Sequence, residues 1–170
     1  VQIAQGLQTI VSRATDALEA LVISVTQIHA GTTSNVIPET AMMNGTVRTM
    51  KDGLNREVEA KMRRIAELTA EAHGAKAELD FEYGYPVTAN DPSAVEFAMR
   101  VAAEVVGADN IDEDTAPVMG SEDFSYMLNA RRGAYVFVGQ GESAGLHHEE
   151  YDFNDEIAPV GASYLARLVE

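Results

Sequence analysis

The stretch "AKAELDFEY", residues 75–83, sets Ala77, Leu79, Phe81 and Tyr83 in alternation with Lys76, Glu78, Asp80 and Glu82. Successive side chains of a strand point to opposite faces, so this pattern predicts a strand with one buried and one wet face. Upstream of it, Val58, Met62, Ile65 and Leu68 recur at helical spacing, with Thr49 and Asp52 as capping residues ahead and Gly74 as the stop. Before that helix, "TAMMNGTVRTM" (40–50) reads as a strand ending near Arg48. Leu21 to Ala30 is another, β-branched and broken by Gly31-Thr32-Thr33-Ser34. The chain opens on Val1, already inside a helical pattern of Ile3, Leu7, Ile10, Val11, Ala14 and Leu18 with no capping residue, and further sequence is expected upstream. The order is helix, strand, strand, helix, strand. One strand ahead of residue 1 would complete a split βαβ, ferredoxin-like unit: a four-stranded antiparallel sheet under two helices.

Beyond residue 83 the character changes. Gly84, Pro86, Asn90 and Pro92 interrupt both periods in "YGYPVTANDPS" (83–93), which marks a domain boundary. Asp91 and Pro92 start a helix whose apolar stripe is Phe97, Val101 and Val105 and whose end is Gly107. In "APVMGSEDFSYML" (116–128), Ser121 is placed to cap a short helix, and "AYVFVGQG" (134–141) has the continuous apolar character of a strand buried on both faces. A last helix is expected from Pro159 to Val169. Helix, strand, loop, helix belongs to an α/β layered fold, in which sites gather at the carboxyl ends of strands. The end of the 134–138 strand leads into "ESAGLHHEEYDFND" (142–155).

Composition sets outer limits. With 170 residues and 46% hydrophobic content, the chain can form one well-buried domain or two small ones. Twenty-seven acidic against twelve basic residues give a formal charge of −15, which repels phosphate backbones and anionic headgroups. Nucleic acid and membrane are thereby poor partners, no apolar run approaches a spanning length, and a soluble, cytoplasmic protein is expected. The absence of cysteine removes disulfides, thiolate metal sites and a Cys nucleophile.

His147 and His148 face four nearby acidic residues, Glu149, Glu150, Asp152 and Asp155. Adjacent residues point apart, so at most one of the two imidazoles suits a given ion, and a solvated acidic loop explains the same residues. "GSEDF" (120–124) can be a helix start with acidic residues on its positive end, or it can aim a carboxylate into a pocket with His147. Arg48 alternates with Met42, Asn44 and Thr46, away from the helix-packed face. It is either a solvated residue or a bidentate clamp for a carboxylate. His29 and His73 read as structural, and Met42 and Met43 as one exposed and one core position.

Taken together, "LQTIVSR" (7–13), "SNVIPETAMMNGTVRTM" (34–50), "MGSEDFSYM" (119–127) and "GLHHEEYDFND" (145–155) resemble the C-terminal half of the metal-dependent amidohydrolases. That family of metallopeptidases includes hippurate hydrolase, aminoacylase and carboxypeptidase G, and the likeness runs the length of the chain. The resemblance implies that residues 1–85 are a lid, or dimerisation, domain lacking its first strand, and that 90–170 are the C-terminal segment of the α/β catalytic domain. It also implies a homodimer formed through the lid, and hydrolysis of N-acyl amino acids to a carboxylate and a free amino acid. Two divalent ions, among zinc, manganese, cobalt and nickel, would polarise the amide and activate water, with a Glu as general base. By the family's motifs His147 is a metal ligand and His148 is not, Asn35 and Arg48 reach the substrate carboxylate, and Glu122 lies beside the metal pocket. The family often has Pro where this chain has Glu149. The remaining ligands, the general base and a lid His that assists across the dimer lie upstream in such enzymes, so the 170 residues alone are expected to be inactive. The alternative is a non-catalytic ferredoxin-like module for dimerisation or small-molecule binding.

Overall fold

In a computed structural model describing residues 1–51 and 53–170, the chain divides into two compact units, Val1–Val87 and Thr88–Glu170. The fold class is α/β, as the order of elements predicts. In the first unit, helix α1 (Gln2–Arg13) is followed by strands β1 (Leu21–Ala30) and β2 (Ala41–Thr49) and by helix α2 (Leu54–Ala72). Leu7 and Ile10 from α1, Leu21 and Ile23 from β1, and Leu54, Val58 and Met62 from α2 form one buried cluster. Both helices therefore pack on one face of the β1–β2 ladder. The helical stripe stops earlier than its spacing suggests. Thr15 Oγ1 donates to the Ile10 carbonyl (2.8 Å), ending α1 at Arg13, and Leu18, 94% exposed, takes no part in the core.

The ladder is antiparallel, from Leu21 opposite Thr49 to Ala30 opposite Ala41, with a bulge between Val25 and Gln27. Thr26 is the extra residue, so the inward parity of β1 changes from Leu21, Ile23 and Val25 to Ile28, which lies opposite Met43. Gly45 sits opposite Val25 at this point, and a Cβ there would lie 2.1 Å from the Ser24 carbonyl oxygen. Close backbone approach is the reason for glycine inside a strand. Helix α2 begins after Gly53, in left-handed conformation (φ 83°), with no side-chain cap; Asp52, expected as a cap, lies outside the described residues.

The strand expected at 75–83 is not formed. Ala77, Leu79 and Phe81 are half-buried in alternation with exposed neighbours, and Leu79 and Phe81 pack on the core. Alternation fixes which side faces inward, but a strand also needs a neighbour for its hydrogen bonds, and the sheet has only β1 and β2 among the described residues. Side chains fasten the segment instead. Arg63 donates to the Leu79 carbonyl (3.1 Å) and to Glu59 (2.9 Å), and the Tyr83 hydroxyl donates to the same Glu59 carboxylate. Those two hydrogen bonds, Tyr83's being the larger influence, hold the Glu59 carboxyl below its ordinary pKa.

In the second unit, helices α3 (Pro92–Val106) and α5 (Ala158–Arg167) pack through Ala98, Val101 and Tyr164, with the short helix α4 (Phe124–Ala130) between them in sequence. Asp91 caps α3 as expected, accepting from the Ser93 and Ala94 amides (3.0 and 3.1 Å), with Pro92 in the first turn. Two details depart from the sequence reading. Phe97 is exposed beneath the Arg100 guanidinium, 5.3 Å from the ring centroid, because the buried stripe centres on Ala98 and Val101. Ser121 does not cap α4; the N-cap residue is Asp123, without a side-chain cap bond, and Ser125 donates to the Glu122 carbonyl (2.7 Å). Nor do residues 134–138 form a doubly buried strand: Phe137 is 64% and Val138 44% exposed. A strand of that kind requires partners on both edges, and none is present among the described residues. In their place the Asn90 amide donates to the Tyr135 carbonyl (2.9 Å) and accepts from the Tyr135 N–H (2.7 Å), while the Asp91 N–H donates to the Gly133 carbonyl (3.0 Å).

Two outcomes follow from this packing. Gly45→Ala should lower the stability of the first unit by about 1–3 kcal/mol in urea unfolding, the range for forced overpacking. Gly84→Ala in the same unit, where a Cβ meets nothing within 4 Å, should change it by less than about 0.5 kcal/mol; equal effects would discount the Ser24 contact. The Asp91 carboxyl is held below its ordinary value of 3.8, first by the Ser93 side chain and then by the Ala94 amide. A depressed folded pKa stabilises above the unfolded value and is lost as pH falls through the folded one, so this cap should fail only below about pH 3.8. Asp91→Asn, which still caps but does not titrate, should flatten the acid limb of α3 unfolding; an unchanged limb would exclude Asp91 as its source.

Candidate metal centre and substrate contacts

The histidine loop is built from two consecutive turns. The His148 N–H donates to the Gly145 carbonyl (3.1 Å) and the Tyr151 N–H to the His148 carbonyl (3.0 Å). His147 occupies the third position of the first turn at φ 67°, and no other non-glycine residue described has a positive φ. A positive φ at that position alone is the pattern of a type II turn, which favours glycine. A histidine there is strained, and strain of this kind persists where the surroundings impose it, often at functional sites. The side chain is exposed, and the described residues offer it no hydrogen bond, so both ring nitrogens are open.

His148 is differently placed. Its Nδ1 accepts from the Glu150 N–H (3.1 Å), which ties the ring to its own turn. The geometry therefore separates the two imidazoles that sequence spacing alone left equivalent. An open neutral imidazole is a good nitrogen donor for a divalent ion such as zinc, and His147 fits that role. No group of three or more metal-ligating side chains is assembled among the described residues, and Glu149, Glu150, Asp152 and Asp155 do not gather around it.

The loop is closed at its base by a residue the sequence reading passed over. Gln140 Nε2 donates to Ser143 Oγ (2.8 Å) and to the Asp152 carbonyl (3.2 Å), and its Oε1 accepts from the Tyr151 hydroxyl (3.3 Å) and the Asn154 N–H (3.2 Å). Asn154 Nδ2 returns a bond to the Gln140 carbonyl (3.2 Å). A single Gln in a glycine-rich stretch carries no pattern from which this could be read. Asn154 could have been found, since it also caps the 3₁₀ turn Asp155–Ile157 by accepting from the Glu156 N–H (3.0 Å).

Glu122 is half-buried at the approach to α4, with its carboxylate on the Tyr135 hydroxyl. Burial first, and then the Glu122 charge and hydrogen bond, raise the Tyr135 pKa, so the phenol stays a proton donor. Phe124 and Phe137 lie on either side of that ring at 5.7 and 5.4 Å. No hydrogen bond or ion pair between Glu122 and His147 is found among the described residues.

The other two candidates lie in the first unit. Asn35 is exposed in the connection between β1 and β2, with Oδ1 accepting from Thr33 Oγ1 (3.0 Å). Arg48 is exposed near the far end of β2, opposite Val22 and on the face away from the helices. At about 3.3 Å per residue, β2 carries Arg48 roughly 23 Å from Ala41. Asn35 and Arg48 thus mark opposite ends of one hairpin. His29 is paired with Met42 in the ladder, and His73, at the end of α2, has Nε2 2.5 Å from Gln2 Oε1.

Known proteins resemble this chain in sequence and fold. The chain is 34% identical to the hippurate hydrolase of Campylobacter jejuni over 163 residues, covering 96% of the chain and 43% of that enzyme. It is 35% identical to the N-acetylcysteine deacetylase of Bacillus subtilis over 167 residues, covering 98% and 43%. Among solved structures, that of the Bacillus subtilis YXEP protein, described as a dinuclear metal binding peptidase from the M20 family, superposes with a TM-score of 0.77. The identity there is 33%, with 98% of this chain and 43% of that one covered. The chain therefore spans less than half the length of these relatives. The family description that fits is "Peptidase family M20/M25/M40", matched by residues 4–170, and the chain belongs to that family.

Proposed function

We propose that these 170 residues are part of a metal-dependent amidohydrolase that cleaves N-acyl amino acids to a carboxylate and a free amino acid. The observation that carries the reading is His147, an open imidazole held at φ 67° in a loop fastened on both sides. Family membership and the names of the relatives, a hippurate hydrolase and an N-acetylcysteine deacetylase, support the same substrate class. When bound, a pair of divalent ions would supply Lewis-acid polarisation of the amide and a water of lowered pKa.

This chain's own residues do the rest. His147 donates a ring nitrogen to one ion, with the turn fixing the direction of the ring. Arg48 pairs with the α-carboxylate of the substrate, and Asn35 contributes an amide contact to the same portion. Glu122 lies beside the metal pocket, its carboxylate accepting from the Tyr135 hydroxyl. The described residues assemble no cluster of three ligating side chains and the chain spans 43% of the matched relatives, so on this reading further ligands come from outside these residues and the 170 residues alone are expected not to turn over hippurate. Residues 1–85 act as the lid and pair two copies into a homodimer; among the described residues β1 and β2 each leave one edge without a strand partner, a surface that a second copy can extend.

In the protein expressed from its complete reading frame, His147→Ala should remove one of two bound ions per protomer by elemental analysis and lower hydrolysis by at least about 100-fold. Unchanged metal content would exclude His147 as a ligand. Arg48→Met should raise KM for an N-acyl amino acid about 10–100-fold, matching the roughly 1.5–3 kcal/mol of a charged hydrogen bond. The analogue without a carboxylate should be turned over equally by both proteins. An equal loss on the two substrates would remove Arg48 from carboxylate recognition.

A further inference from the structure

We infer that Gln140 is a positioning residue for the metal-binding loop, setting the direction of His147 without touching the ion. The inference rests on the reading of His147 as a ligand and goes beyond it. His147 holds a backbone conformation that glycine prefers, so something outside the turn must keep the turn from relaxing. The residues between Gln140 and Asn154 form no helix or strand; their own contribution is the two turns and the His148 contact. The remaining contacts converge on one amide. Gln140 Nε2 reaches Ser143 at the loop's entry and the Asp152 carbonyl at its exit, while Oε1 gathers Tyr151 and Asn154. Asn154 closes the ring by donating to the Gln140 carbonyl.

Ser143 precedes the His147 turn, and Tyr151, Asp152 and Asn154 follow it. Loss of the amide would free both ends of the loop at once, and the imidazole would sample directions in which it does not meet the ion. A ligand's orientation is commonly fixed by groups one bond away from the ligand itself, and removing such a group typically weakens metal affinity about 10–100-fold. Gln140 differs from the usual case in acting through the backbone path of the loop, since it makes no hydrogen bond to the His147 ring.

The test uses the protein from its complete reading frame, stripped of metal and titrated with Mn²⁺ in competition with a chelating dye. Gln140→Met keeps the side chain's length and deletes its amide. It should raise the dissociation constant for one Mn²⁺ about 10–100-fold, and saturating Mn²⁺ should restore kcat with KM unchanged. Tyr151→Phe, which removes one hydroxyl from the same ring of bonds, should give a smaller rise in the same direction and carries the test if Gln140→Met fails to fold. Val101→Ala in α3 serves as a comparison: it lowers stability without moving the Mn²⁺ constant. If His147→Ala loses an ion while Gln140→Met and Tyr151→Phe bind Mn²⁺ as the parent does, the positioning role is overturned and the ligand assignment stands. If His147→Ala binds both ions, the ligand assignment falls and the positioning role with it.

Discussion

Every backbone N–H and C=O that leaves water must find a partner, and in this chain that demand decides which patterned segments become strands. Leu21–Ala30 and Ala41–Thr49 satisfy each other and form the single ladder among the described residues. Ala77–Tyr83 and Ala134–Val138 have side-chain patterns as strong as those of β1 and β2, yet form no ladder among the described residues. In both, side chains stand in for a neighbouring strand. Arg63 donates to the Leu79 carbonyl as a ladder N–H would, and the Asn90 amide both donates to and accepts from the Tyr135 backbone.

What the sequence makes legible follows from the range over which each determinant acts. Asp91 followed by Pro92, and the glycines at 74 and 107, set helix ends through contacts a few residues apart, and those ends are where local rules put them. The outward face of β2 at Arg48 was also readable, whereas the bulge at Thr26, which shifts the parity of β1, had no local sign. Pairing is another matter. Alternation in 75–83 states which residues face the core, and Leu79 and Phe81 do face it, but no local pattern states whether a partner strand is at hand. The stop of α1 at Arg13 was hidden for a related reason: Leu18 keeps helical spacing, while the Thr15 hydroxyl ends the helix by taking a carbonyl.

At the site, residue types suggested chemistry and geometry distinguishes the candidates. Spacing showed that His147 and His148 cannot serve one ion together, and resemblance selected the first. The conformations supply a physical ground for that choice: one ring is committed to the Glu150 N–H, and the other stands open on a strained backbone. Glu122 illustrates the opposite case. Its place beside Asp123 and Phe124 suggested either a helix start or a pocket carboxylate, and in the structure it does not cap α4 but adds to burial in raising the Tyr135 pKa. That contact spans 13 positions in sequence, from 122 to 135, and had no local sign.

The departure at residue 149 gains a meaning from the same geometry. Glu149 is the second residue of the turn from His148 to Tyr151, the position at which proline is most favoured because its fixed φ is already that of the turn and its missing N–H is not needed there. A proline here would stiffen the turn; a glutamate leaves it free to open. A turn with less intrinsic stiffness, directly after a histidine in a glycine-type conformation, needs its restraint from elsewhere. The His148 ring on the Glu150 N–H supplies part of it from within the turn. Gln140 supplies the rest from the base, taking hold of Tyr151, the turn's last residue, together with its neighbours Asp152 and Asn154. The two features are thus coupled: where proline stiffens the turn directly, a base clamp is less necessary, and where glutamate replaces it, the loop depends on hydrogen bonds that reach across its ends.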